Sequence, residues 1–273
     1  MKPAKQRFQL MFKIYGMIHL LPLPGSPRYR GNREQILERA MADAEKLVGG
    51  GVDGFIVENY GDSPFHIRPS IETINAMKDI VCFLRDRYPG IEIGVNVLRN
   101  AGLDALRIAT ECHTDFIRVN AYIEPVWAPE GLLLPIAASL QRLRAKVSAK
   151  VKIYADINVK HGKPILSYID VLENAISRGH PDAIIITGKA TGKKTDPLKV
   201  YLAKKYAGKI QVIIGSGVNP YNIGSYVSIA DGVIVGTYFK KESKIHNPID
   251  GDRVRYFVNR TRKIIERIKR FQH

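Results

Sequence analysis

Polar side chains that could do chemistry recur in this 273-residue chain at the ends of short apolar runs. In order they are His19; Glu58 with Asn59; Asn96 with Arg99 and Asn100; Asn120; Asp156 with Asn158, Lys160 and His161; and Thr187 with Gly188. A partly buried carboxylate serves as a general base when its pKa is raised. A desolvated lysine can donate a proton, steady an oxyanion or form a Schiff base. Glu58, Asp156, Lys160, Asn96 and His19 are therefore the catalytic candidates. Asn59, Arg99, Asn120, Asn158, His161 and Thr187 are candidates for holding a polar substrate. The last two runs end instead in Gly215-Ser216-Gly217 and Gly236-Thr237. Glycine lets backbone N–H groups approach an oxyanion, and a helix expected from about Asn219 would add its dipole. With Gly188, these five residues are the phosphate-binding candidates.

Other chemistries are less well supported. Residues 188–195, GKATGKKT, resemble a phosphate-binding P-loop but have one residue too few between the glycines. No HExxH, close His/Cys pairing or GxSxG is present. A divalent ion among His19, Glu58, Asp156 and His161 is compatible with their chemistry, but no spacing demands one. No metal ligand or cofactor is assigned.

The elements that must position these residues alternate. β-branched runs at 14–19, 54–59, 92–98, 116–121, 152–159, 183–187, 211–215 and 232–236 predict buried parallel strands. The gaps predict helices at 33–48, 70–88, 101–112, 132–148, 168–178, 196–207, 220–227 and 250–271. Residues 21–32 and 122–131 read as long loops. Eight such units predict an α/β fold, a (β/α)₈ TIM barrel, with its site at the C-terminal ends of the strands. An open doubly wound sheet is the alternative; no linker or composition break favours it. Residues 1–12 read as an N-terminal extension and 13–273 as one barrel domain. Alternation places Ile56 with Glu58, Gly94 with Asn96, Arg118 with Asn120, and Tyr154 with Asp156 and Asn158, all facing inward. An internal ion-pair network is the structural alternative for Glu58, Arg118 and Asp156. GGGVDGFIVEN and SIADGVIVGT echo one another, without a strict repeat.

Composition is that of an ordinary globular protein, which excludes disordered and fibrous classes. The net charge of +16 points to anionic partners. A small phosphorylated substrate fits best. No motif supports specific nucleic-acid binding, and peripheral membrane contact is not favoured. Self-association is expected, as is common for such barrels. Cys82 and Cys112 show no paired pattern, so unpaired thiols in a reducing cytoplasm are expected. No apolar run approaches the roughly 20 residues that span a bilayer.

Several motifs together resemble the BtpA/SgcQ family: MIHLLPLPGSPRY (17–29), VENYGDSPF (57–65), GVNVLRN (94–100), FIRVNAY (116–122), ADINVKHGKP (155–164), TGKATG (187–192), IIGSGVNP (213–220), ADGVIVGTYFK (230–240) and NPIDGDRVRYFV (247–258). The resemblance covers about residues 13–260. It implies a TIM barrel of the ribulose-phosphate-binding type and an association with photosystem I biogenesis in cyanobacteria. Members in non-photosynthetic organisms, one in a sugar-operon setting, imply a broader biochemical role. Tyr60 stands where the family commonly has Phe, and Asn100 where it often has Asp.

Overall fold

The structure, a computed structural model, describes residues 12–147, 149–159, 162–188 and 193–271. Its strands are β1 (Lys13–His19), β2 (Gly54–Glu58), β3 (Glu92–Asn96), β4 (Phe116–Val119), β5 (Val126–Ala128), β6 (Gly131–Leu133), β7 (Lys152–Ile157), β8 (Lys163–Pro164), β9 (Ala183–Ile186), β10 (Gln211–Ile214) and β11 (Gly232–Val235). Eight of them, all parallel, close into a barrel in chain order, with β11 returning to β1. The outer helices are α1 (Arg33–Gly49), α2 (Ile71–Arg87), α3 (Gly102–Glu111), α4 (Ala137–Lys146), α5 (Tyr168–Asn174), α6 (Pro197–Ala207) and α7 (Gly251–Phe271). Among the described residues, none is long and apolar enough to cross a membrane.

Local chemistry explains the helix starts. Asn32, Ser70, Ser167 and Asp196 each accept a backbone N–H of their helix's first turn, and Pro197 follows Asp196. The stripe Val254, Phe257, Val258, Thr261 and Ile265 buries one side of α7.

Three expectations need correction. The helix expected at 220–227 is absent; only a 3₁₀ turn, Ile223–Ser225, forms there. Asn219 uses its side chain to accept from Tyr221 N and Asn222 N, closing a tight turn instead of starting an α-helix. The long loop after β4 carries structure: β5, β6 and β8 form a small antiparallel sheet in the order β6-β5-β8. Val126 and Leu133 pack inward with Ala121 and Val159, while their alternates Trp127 and Leu132 face outward. The cysteines are paired. Cys82 on α2 and Cys112 just after α3 form a disulfide, with Cα atoms 4.6 Å apart, because neighbouring outer helices bring them together.

The barrel interior is filled. Tyr15, Met17, Ile56, Phe116, Tyr154, Ile185, Ile213 and Ile234 form an inner cluster separate from the larger core under the helices. The inward alternation read from the sequence therefore holds. Gly94 is required here: a Cβ would stand 2.3 Å from the Phe116 ring, which itself stacks on Tyr154. Below this layer Glu92 accepts from the Tyr15 hydroxyl (2.7 Å) and from the Lys13 ammonium (3.0 Å).

A four-fold ring closes the N-terminal end. Asp53, Asp115, Asp182 and Asp231 stand immediately before β2, β4, β9 and β11. Their carboxylates accept N–H bonds from Ile14, Ile93, Ile153 and Val212, the second residues of β1, β3, β7 and β10. Each aspartate's own N–H donates to the carbonyl of that same residue. Each aspartate's carbonyl accepts from the first residue of the strand on its other side: Glu92, Lys152, Gln211 and Lys13. One basic side chain from the outer helices holds each carboxylate: Arg262, Arg85, Arg144 and Lys204 in turn.

Candidate functional site

At the opposite end, the C-terminal ends of β1, β10 and β11 enclose a cleft of about 160 Å³. A single water needs only about 10–15 Å³ on this measure, so a ligand-sized group fits. His19, Tyr60, Arg118, Gly217, Gly236 and Thr237 are among its walls.

The two carboxylates singled out by the sequence stand behind side chains that face this cleft. Glu58 Oε1 lies 3.7 Å from His19 Nε2, while Glu58 Oε2 accepts from Asn96 Nδ2 at 2.5 Å. The imidazole lies against the Tyr60 ring, with centroids 4.8 Å apart. Burial, and then the Glu58 charge, push the Tyr60 hydroxyl above its usual range. Asp156 receives the Arg118 guanidinium at 3.1–3.2 Å and the Asn120 amide at 2.7 Å. Arg118 is buried yet reaches the cleft. A buried charge pair held this tightly is costly to break. Asp156 is thus committed to holding Arg118, and His19 is the titratable side chain on the cleft wall beside Glu58.

Across from them run the glycine turns. Gly217 has φ +69°, and a Cβ there would stand 2.2 Å from the Lys193 carbonyl oxygen. Only glycine adopts this close turn without strain. The N–H groups of Gly217 and Thr237 take no partner among the described residues, leaving donors for an oxyanion. Ser216 accepts from Gly188 N on its hydroxyl at 2.8 Å, tying the turn after β10 to the end of β9. Gly188 lies buried in that junction, outside the cleft wall. No α-helix N-terminus adds a dipole after β10.

Other sequence candidates serve as supports. Asn59 donates to Asp62 and the Leu98 carbonyl and accepts from Leu98 N, fixing the loops after β2 and β3. Arg99 is buried, with Nε 3.5 Å from Glu130. Asn158 turns through φ +50°, donates its N–H to Glu124, and accepts the Thr187 hydroxyl on its carbonyl. Lys160, His161 and residues 189–192 lie outside the described residues.

Sequence reasoning did not single out two residues that line the cleft, Arg118 and Tyr60, nor the buried Glu124. The sequence marks Arg118 as a buried charge that must be paired or used, and Tyr60 as a departure from the family pattern. Glu124 sits in the loop after β4, 2% exposed, where burial pushes its carboxyl up to about 7. Only its position beside a strand end could have flagged it. Among the described residues no cluster of three His, Cys, Asp or Glu side chains could hold a metal.

The fold is a closed parallel (β/α)₈ barrel. It matches 3-keto-L-gulonate-6-phosphate decarboxylase from Vibrio cholerae, with TM-score 0.56 and 15% identity over 94% of this chain and 98% of that one. It also matches phosphoribosyl anthranilate isomerase from Thermus thermophilus, with TM-score 0.56 and 13% identity over 93% and 100%. The chain belongs to the BtpA family, whose profile matches residues 12–263. An uncharacterized protein of Pyrococcus abyssi is 40% identical over 94% of this chain and 96% of its own. The photosystem I biogenesis protein BtpA of Synechocystis is 39% identical over 93% and 89%.

Proposed function

We propose that this chain is an enzyme acting on a phosphorylated sugar or nucleotide-like small molecule by acid–base chemistry of the isomerase, lyase or aldolase type. The observation that carries the reading is one cleft with two unlike walls. On one side, the Gly215–Gly217 and Gly236–Thr237 turns offer backbone N–H groups to a phosphate. On the other, His19 stands in front of Glu58, with Nε2 3.7 Å from Oε1, so an imidazole backed by a carboxylate faces the ligand. Arg118, anchored by Asp156, adds positive charge at the floor, where an oxyanion would develop. The fold likeness to enzymes named for phosphorylated substrates supports the substrate class.

A thermal-shift screen tests this reading. Its panel holds inorganic phosphate, sugar phosphates, phosphoribosyl compounds and nucleotides. A ligand at about 100 times its dissociation constant adds about 2.7 kcal/mol. The hit should vanish in Gly236→Asp. The nearest atoms, of His19 and Met17, lie 3.5 Å from where a Cβ would stand, so the side chain has room while its carboxylate repels an anion. A flat response across the panel would overturn the proposal. It would favour the second reading, an assembly or stability factor acting through protein or membrane contacts, which rests on the printed name of the Synechocystis relative.

A further inference from the structure

Away from the glycine turns, the ends of β4 and β7 carry three buried oxygens that take no hydrogen bond among the described residues: Asn120 Oδ1, Glu124 Oε2 and Asn158 Oδ1. All three are acceptors. The residues are tied to one neighbourhood, because β4 pairs with β7, Asn120 bonds to Asp156, and Glu124 bonds to Asn158. Asn120 and Glu124 are 4% and 2% exposed, so bulk water does not serve them.

The Asn120 and Glu124 oxygens are each oriented by a second bond of the same side chain, and Asn158 is held through its backbone. Asn120 must turn its Nδ2 to the Asp156 carboxylate, which leaves Oδ1 as the outward atom. Glu124 spends Oε1 on the Asn158 N–H, which leaves Oε2. The Asn158 backbone is held at both ends, by Glu124 and by Thr187. Ligands fixed by such outer bonds are the usual setting of a metal site. A buried carboxylate with no cationic partner is costly. An oxygen-only set with one carboxylate and two amide carbonyls matches hard divalent ions, which leave remaining positions to water and substrate.

We propose that Asn120, Glu124 and Asn158 form a site for a hard divalent cation of the magnesium, manganese or calcium class. A single carboxylate makes the site weak when no ligand is bound, with a dissociation constant of about 10⁻⁴ to 10⁻³ M.

The test is a Mn²⁺ titration of the full chain, previously treated with chelator, followed by electron paramagnetic resonance. One ion should bind per chain. Glu124→Gln, nearly isosteric, should weaken binding at least tenfold. Asn158→Asp should tighten it at least threefold, because it adds a charged ligand at a left-handed position that aspartate tolerates. A misfolded variant cannot mimic that gain. Gly236→Asp, which tests the phosphate turns, should leave Mn²⁺ binding unchanged, so the two readings fail separately. No Mn²⁺ binding at 10-millimolar levels, or equal affinity in Glu124→Gln, would overturn the proposal.

Discussion

Asp156 and Glu58 are similar carboxylates in unlike settings, and they should respond differently to amidation. Asp156→Asn leaves Arg118 charged and buried without its counter-ion. Breaking such a pair costs about 3–5 kcal/mol, a loss that guanidinium denaturation would register. Glu58→Gln should barely move that midpoint. With the substrate the screen selects, it should lower turnover at least ~100-fold, because His19 loses the carboxylate that stands behind it. Equal stability losses in both variants would show that the two carboxylates share one structural role. The sequence places both residues at strand ends and facing inward, which alternation alone dictates. It does not show that Arg118 and His19 stand in front of them, since that ordering depends on which side chains span the barrel. Nor does it show Glu124, which lies buried in the loop leading from β4 into the small sheet.

Strands and helices were largely legible because buried parallel strands and amphipathic helices carry strong periodicities. The missing helix after β10 is instructive. Asn219-Pro220 reads equally as a helix start and as a turn, and nearby Gly217 and Gly224 favour the turn. The strand set also makes an acid-sensitive joint. Burial raises the Glu92 carboxyl, but the bonds from Tyr15 and Lys13 outweigh it and hold the group below its usual range. A carboxylate lowered in the folded state stabilises it above about pH 4.5, and that contribution is lost as pH falls through the lowered value. Glu92→Gln should therefore flatten the fall in stability between about pH 5 and 3. An unchanged acid limb in denaturant titrations would remove Glu92 from this role.

At the scale of the molecule, the disulfide joins α2 to α3 across 30 residues. Nothing in the cysteine spacing signals it, because the contact arises only when consecutive outer helices pack side by side. A loop of that length restricts the unfolded chain by about 3–4 kcal/mol. Reduction, or Cys82→Ala, should lower Tm by on the order of 10 °C. Ligand-induced shifts at the mouth should persist, since α2 and α3 lie on the outside of the barrel. A Tm unaffected by reductant would show that the pairing contributes nothing to stability.

The aspartate ring has a larger consequence. It divides the barrel into four equivalent quarters, each bonded to the next in the same way, so no quarter is the privileged start of the circle. The start of β1 already touches α7, through the Arg262 contact with the Phe12 carbonyl at 2.8 Å. A chain rejoined there and reopened in the exposed turn near Gly90 would keep every link of the hoop. Such a permuted chain should still close the same barrel, with its mouth intact, from a different first residue.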